Sequence, residues 1–361
     1  MQDLIPTLNY YDESVFEIEI EKVFKSNWLF GCMKDAIPNK NDYVTVELHK
    51  HSVILYNNGT EIVALQNVCP HRFNRIFNNN KGNGPLICKF HSWSFDGYGK
   101  LRNTNLLAPE NNIEHFCLVQ YPVEIIGKFV FFNFNKLPKK SLREQYGKYI
   151  DHLDEISNII DKKIHYEEIK HNVNWKIICE NVIEISHCQS LHKETLVKIG
   201  YCAKPVEEFS RDGNNSFMTL LPVDSSDRKK RDQFINKNLP REVQKNSYKH
   251  TLFFPNFTIG IYEGLNISIG LISPLDSKRS IYRLIYYTAK IKTNSATADF
   301  ILDSMKEDTI NFGREVFFED KIIIEQVQKG VEEATHKGLV YESDKRVLWF
   351  MESYLRLMRN N

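Results

Sequence analysis

Strands gathered in runs, with helices set before and after them, predict an α+β fold built on antiparallel sheet. Three features of the 361-residue chain carry the prediction. Short β-branched or aromatic runs separated by glycine-containing turns fill the stretch from Asp42 to Asn135. Two longer strand-like segments, Leu252 to Leu271 and Ile281 to Ile291, lie late in the chain. A proline-free segment rich in Glu, Lys and Ile, Phe300 to Lys329, follows them and reads as helix. The length predicts two cooperating domains.

From the N-terminus, Glu13 to Trp28 places Val15, Ile18, Ile20, Val23 and Phe24 at a spacing that suits an amphipathic helix. Val44 to Val46, Ser52 to Tyr56, Ile62 to Leu65 and Lys128 to Phe134 read as strands of a small antiparallel β domain, punctuated by Asn-Gly, Gly-Asn-Gly and Asp-Gly turns. Pro138 and the charged stretch from Arg143 to Lys148 mark its boundary. Beyond it Glu180 to Lys198 reads as helix, Ser216 to Leu221 as strand, and Lys345 to Met358 as a closing amphipathic helix. No repeat of roughly 20 to 50 residues is visible.

Composition excludes several classes of function. The 47 Lys+Arg balance 46 Asp+Glu, so the chain offers no basic field to nucleic acid or to an anionic membrane. Hydrophobic residues make up 42% and charged residues 26%, enough apolar material for a core and too much for disorder. No apolar run approaches the roughly 20 residues of a membrane span, and the first residues carry no leader signal, so a cytoplasmic protein is expected. Seven scattered cysteines do not suit a secreted disulfide framework; a reducing setting with metal-binding thiols fits them better.

Two of those thiols lie in a patterned setting. Cys69-Pro70-His71-Arg72 is followed, with sixteen residues between His71 and Cys88, by Cys88-Lys89-Phe90-His91-Ser92-Trp93. Zinc fingers more often pair C-x-x-C with H-x3–5-H on one ion. Two mixed Cys/His loops suit a [2Fe–2S] centre in which Cys69 and Cys88 hold one iron and His71 and His91 the other, the neutral imidazoles raising its potential. A Cys2His2 zinc ribbon is the structural alternative.

Residues Cys69 to Leu101 resemble the signature of the Rieske non-haem iron, or ring-hydroxylating, oxygenases: C-x-H-R-G, then G-N, then C-x-Y-H-G-W-x-(Y/F)-x3-G-x-L. Gly82-Asn83, Trp93, Phe95, Gly99 and Leu101 continue the match. Phe73 stands where the family has a glycine, Phe90 where it has tyrosine, and Ser92 where it has the second glycine.

A second constellation follows at Asn181-Val182-Ile183-Glu184-Ile185-Ser186-His187, then His192. On an ideal helix Glu184 and His187 lie about 60° apart, whereas His187 and His192 lie about 140° apart. The two imidazoles can share an ion only if the helix loosens or ends near His192. A facial triad then needs one carboxylate from elsewhere. Spacing alone does not select it; the resemblance does. Glu319-Asp320 and the residues through Gly330 are similar to the family segment whose aspartate is the third iron ligand, and Asn181, Glu184, His187 and His192 match N-x2-(D/E)-x2-H-x4-H.

The resemblance implies a layout of 1–38 as an N-terminal helical segment packing on the catalytic domain, 39–145 as the Rieske domain, and 146–361 as a mononuclear-iron catalytic domain of helix-grip type. It implies a [2Fe–2S] cluster, a mononuclear Fe(II), O2 as co-substrate, and NAD(P)H electrons delivered by a separate reductase or ferredoxin. It further implies a homotrimer in which His91 of one chain meets Glu184 of the next, Glu184 orienting His187 in its own chain, with Asn181 and Glu184 as the catalytic pair beside the iron. Glutamate at the bridge looks like the branch that oxidises choline, carnitine or betaine-type quaternary ammonium compounds; the alternative is hydroxylation or demethylation of an aromatic compound. An electron carrier with a ligand-binding second domain is the competing class. Phe253-Phe254-Pro255-Asn256 resembles a family strand, and the cysteines at 32, 117, 179, 188 and 202 read as small core residues.

Overall fold

A computed structural model describes residues 4–104, 116–241, 246–293, 295–336 and 338–359. Two compact units emerge, one of residues 20–145 and 150–157, the other of 1–19, 146–149 and 158–361.

The first unit is β-rich, as its alternating runs dictate. Five antiparallel strands stand in the order Lys81–Asn83, Asp42–Leu48, His51–Asn57, Ile62–Gln66 and Gln120–Tyr121. Their core side chains, Ile54, Tyr56, Val63 and Leu65, pack with Ile76, Leu86, Trp93, Phe95 and Leu118, and this cluster also takes in Cys69 and Cys88. A ribbon of Ser94–Phe95 and Leu101–Asn103 turns at Gly99, whose φ of +81° and close approach to Leu118 and Leu65 leave no room for a side chain. Leu29–Met33 pairs with Phe129–Phe132 in a second sheet. Residues 20–38 therefore sit with this unit, where the sequence had suggested a helical arm on the catalytic domain; fully buried Leu29 to Met33 supply a strand's apolar run.

The second unit carries a seven-stranded antiparallel sheet in the order Ile160–His171, Arg279–Ala289, Asn266–Asp276, Phe257–Tyr262, Tyr248–Phe253, Asn215–Leu220 and Glu208–Asp212. Helix Trp175–Ile183 packs on helices Ala296–Glu333 and Lys345–Arg359, and all three pack on the sheet. The stretch expected as one strand from Leu252 to Leu271 is three. It breaks at Phe254–Asn256, where the Phe254–Pro255 peptide is cis, and at Glu263 and Gly264, both of positive φ. The Phe-Pro-Asn motif is thus a turn, its Asn256 side chain donating to the carbonyl of Ile272 at 2.7 Å.

The expected helix from Glu180 to Lys198 is also broken, and the breaks position the site. The first piece, Trp175–Ile183, is capped by Asn174, whose side chain accepts from the amide of Lys176. It is anchored by buried Glu19 of the N-terminal helix Glu13–Glu19, which accepts from Lys176 Nζ at 2.5 Å, Trp175 Nε1 at 2.8 Å and the Tyr354 hydroxyl at 2.5 Å. That helix buries Phe16 and Glu19, leaving Ile18 exposed, so its inward face differs from the one its apolar spacing suggested.

Candidate metal centres

Each cysteine–histidine loop closes on the backbone carbonyl of its own cysteine. The amide of Phe73 donates to the carbonyl of Cys69 at 3.0 Å, and that of Ser92 to the carbonyl of Cys88 at 2.9 Å, the same five-residue turn twice. Both closing residues adopt left-handed backbone, Phe73 at φ +61° and Ser92 at +59°. These are the two positions where the resemblance placed glycine, which takes that conformation without steric cost. Phe73 and Ser92 therefore hold the expected turns under strain.

The donor atoms converge. Cys69 and Cys88 are buried side by side, and burial reinforced by the neighbouring Cys88 thiol pushes Cys69 up to about 11. Asn74 Nδ2 lies 3.7 Å from Cys88 Sγ. The rings of His71 and His91 are 4.7 Å apart, His71 stacks on Trp93 at 4.5 Å, and His91 Nδ1 is buried without a hydrogen-bond partner among the described residues. Paired buried thiols and an orphaned imidazole nitrogen are disfavoured unless a metal takes them, and two sulfurs with two nitrogens fit a Rieske cluster.

In the second unit the helix ends at Ile183. Glu184 is extended (φ −85°, ψ 147°), His187 opens the one-turn helix Cys188–Leu191, and His192 (φ −95°, ψ 39°) ends it ahead of a π-turn at Lys193–Val197. This interruption brings together two imidazoles that a continuous helix would splay, with ring centroids 5.2 Å apart. From the helix Ala296–Glu333, buried Asp320 directs Oδ1 to within 3.1 Å of His192 Nε2 and 3.6 Å of His187 Nε2. Among the described residues Asp320 Oδ1 has no hydrogen-bond partner despite these approaches. Ligand atoms of all three residues fall within 4.8 Å of one another. Three converging donors, two nitrogens and one oxygen, fit a facial triad for ferrous iron.

The other ring nitrogens are held by carboxylates. His187 Nδ1 bonds Glu184, whose carboxylate also accepts from the His187 amide at 3.1 Å. His192 Nδ1 lies 2.6 Å from Glu319 Oε2, which accepts from the Thr195 hydroxyl at 2.8 Å. Such carboxylates fix Nδ1–H and leave each Nε2 lone pair free for a metal. Burial would raise Glu184, but the hydrogen bond and charge of His187 outweigh it and hold the carboxyl below its ordinary range. Sequence reading gave Glu319 no role; its place next to Asp320 was the available signal. Asn181 stays on the preceding helix and makes no side-chain hydrogen bond among the described residues. Cys188 and Cys202, read as separate core residues, form a disulfide beside His187, with Cα atoms 6.0 Å apart; Cys32 and Cys179 are buried free thiols.

Phenols of the sheet occupy spaces left by glycine. A Cβ on Gly260 would meet Tyr248 Oη at 3.2 Å, one on Gly270 Tyr282 Oη at 2.7 Å, and one on Gly313 Tyr286 Oη at 2.9 Å. Phe317, one turn before Asp320, packs edge-on to Tyr282 at 5.5 Å. Tyr248, pushed up to about 12 by burial, also feels the charge of Asp320.

Residues 27–122 match the Rieske [2Fe-2S] domain, and residues 155–360 match the ring hydroxylating alpha subunit (catalytic domain). The chain is 26% identical over 196 residues to a glycine betaine monooxygenase oxygenase subunit of Pseudomonas aeruginosa (strain UCBPP-PA14), covering 53% of this chain and 45% of that protein. It is 29% identical over 194 residues to a carnitine monooxygenase oxygenase subunit of Escherichia coli (strain K12), covering 52% of each. The matches thus span about half the length of these curated relatives. Among solved structures, the quaternary ammonium Rieske monooxygenase CntA, described with carnitine oxidation and inter-subunit electron transfer, superposes with a TM-score of 0.79 at 18% identity, covering 99% of this chain and 95% of that one. That likeness is one of fold. No helix among the described residues is long and apolar enough to cross a membrane.

Proposed function

Because the chain belongs to the ring hydroxylating alpha subunit family, with a Rieske domain ahead of the catalytic one, we propose that it is the terminal oxygenase component that oxidises a quaternary ammonium or methylated amine of the choline, carnitine or betaine type. The observation that carries the enzymatic reading is the convergence of His187 Nε2, His192 Nε2 and Asp320 Oδ1, with both Nδ1 atoms tied to carboxylates. In this reading Cys69, His71, Cys88 and His91 hold the cluster, and His187, His192 and Asp320 hold the mononuclear iron. When bound, the two centres supply electron transfer and reductive activation of O2, with electrons drawn from NAD(P)H through a partner reductase.

The protein's own groups do the rest. Glu184 and Glu319 keep a proton on Nδ1 of their histidines and fix each ring plane. In a cytoplasmic homotrimer, Glu184 is also the bridge to His91 of the neighbouring subunit, so a proton held there is coupled to electron arrival. Asn181 is assigned beside that bridge. Tyr248, Tyr282, Tyr286 and Phe317 supply aromatic faces that attract a quaternary ammonium head and exclude water from the reacting carbon. The naming of the P. aeruginosa and E. coli relatives supports the same substrate class. The same faces would stack a neutral ring, which keeps oxidation of an aromatic compound as the second reading.

Substrate-dependent oxygen uptake with a surrogate reductase, products identified by mass, tests the proposal. Uptake with glycine betaine, carnitine or choline is expected. Uptake confined to aromatic substrates would transfer the site to the second reading, and none with any substrate by iron-loaded protein would remove the oxygenase reading.

A further inference from the structure

Arg346 is a fully buried guanidinium without an acidic partner among the described residues. It opens the helix Lys345–Arg359 and is 1% exposed. Nε donates to Ser216 Oγ at 3.1 Å, and Nη2 approaches His250 Nδ1 at 3.0 Å and the Ser216 carbonyl at 3.4 Å. Nη1 is buried with no hydrogen-bond partner among the described residues, and the groups whose charge Arg346 feels are the phenols Tyr248 and Tyr149. Other buried cations here are treated differently. Lys176 meets Glu19 at 2.5 Å, and Arg241 fills its fork with the carbonyls of Glu263 and Leu239 and the side chains of Asn236 and Asn246. A buried charge left unpaired is costly, so a site that keeps one is built for an anion that arrives.

The sheet register says where that anion would lie. Alternate residues of a strand share a face, so His250 shares its face with Tyr248 and, across the ladder, with Met218, Gly260, Ser268 and Tyr286. This is the face of the glycine-spaced phenols, and Tyr248 feels both Arg346 and Asp320. We propose that Arg346 receives the carboxylate of a zwitterionic substrate through Nη1, while the tyrosines hold its quaternary ammonium end beside the iron. The inference rests on the quaternary amine reading and narrows it: carboxylated compounds of the betaine and carnitine kind are substrates, and choline, which has no carboxylate, is a poor one.

Calorimetric titration of iron-loaded wild type and Arg346→Gln with γ-butyrobetaine and with butyltrimethylammonium, which lacks the carboxylate, tests this. A charge-assisted hydrogen bond predicts that the variant binds γ-butyrobetaine about 10- to 100-fold more weakly while its affinity for butyltrimethylammonium holds. Equal weakening of both ligands, or a wild type that does not distinguish them, overturns the assignment. Cluster absorbance and circular dichroism report folding. Should Arg346→Gln not fold, Arg346→Lys, which keeps the charge and loses the fork, is expected to weaken γ-butyrobetaine alone, and equal loss or no loss overturns the proposal. If wild type binds neither ammonium compound, the quaternary amine reading fails, and titration with butyrate and benzoate decides Arg346 separately: binding that Arg346→Gln abolishes upholds the anion site, and its absence removes it.

Discussion

The proposed cluster loops and the proposed His187–His192–Asp320 site bring candidate metal ligands together by opposite means. All four proposed cluster donors fall from Cys69 to His91, on two turns of the same design, with both thiols inside a hydrophobic core. The other three donors need a helix interrupted at Glu184 and an aspartate from a different helix, each histidine braced by its own carboxylate. The first site is therefore part of its unit's folding, while the second is a local arrangement on elements held by other contacts such as the buried Glu19–Lys176 pair. Damage should follow that division.

The largest effect is expected from Asp320→Ala: product formation lost, with the cluster's optical and resonance signature retained. Cys88→Ala should instead remove the cluster and lower the thermal stability of the first unit, since Cys88 lies in its core. A Cys88 variant that melts like wild type would erase the contrast. Glu184→Gln and Glu319→Gln are expected to slow single turnover or weaken iron binding about 10- to 100-fold, and rapid-mixing and chelator competition separate the two. Glu184→Gln with unchanged electron transfer would reject it as the bridge.

Smaller effects sharpen the same comparison. Phe73→Gly should stabilise the cluster loops by roughly 1 kcal/mol by relieving left-handed strain, read as a rise in melting temperature of the cluster-loaded protein; no rise would mean that the exposed Phe73 ring contributes as much as the strain costs. Burial pushes Glu180 up to about 7, against an ordinary carboxyl in the unfolded chain, although Tyr10 and Lys176 oppose the shift. The folded state thus holds the extra proton, and Glu180's contribution to stability is present below about pH 4 and lost as pH rises to about 7. Glu180→Gln should flatten that slope in denaturant titrations, and an unchanged slope would place the carboxyl in ordinary surroundings.

What was legible follows from locality. The proposed cluster ligands stand out in the sequence because they lie close together with their flanking residues; even the two glycine replacements point to positions that prove left-handed. Asp320 could not be chosen by spacing, because 128 residues separate it from His192, and Glu319 is meaningful only once its helix faces the histidines. The strand Ile160–His171 was missed because only its two end residues are buried, and the helix Ser226–Asn238 because Ile235 alone is. Arg346 follows a lysine at a helix start and reads as a solvated charge until the sheet closes over it. The break at Glu184 was half legible: the five-residue histidine spacing required one, but nothing local fixed where it falls.

The central claim is that three irons are bound per chain, two by the cysteine–histidine loops and one by His187, His192 and Asp320. Iron quantitation on anaerobically reconstituted wild type and His187→Ala, with the reduced-cluster resonance recorded on both, tests it most directly. The account predicts three irons in the wild type and two in the variant, with the resonance intact in each. Two irons in the wild type, or three retained by His187→Ala, would contradict it.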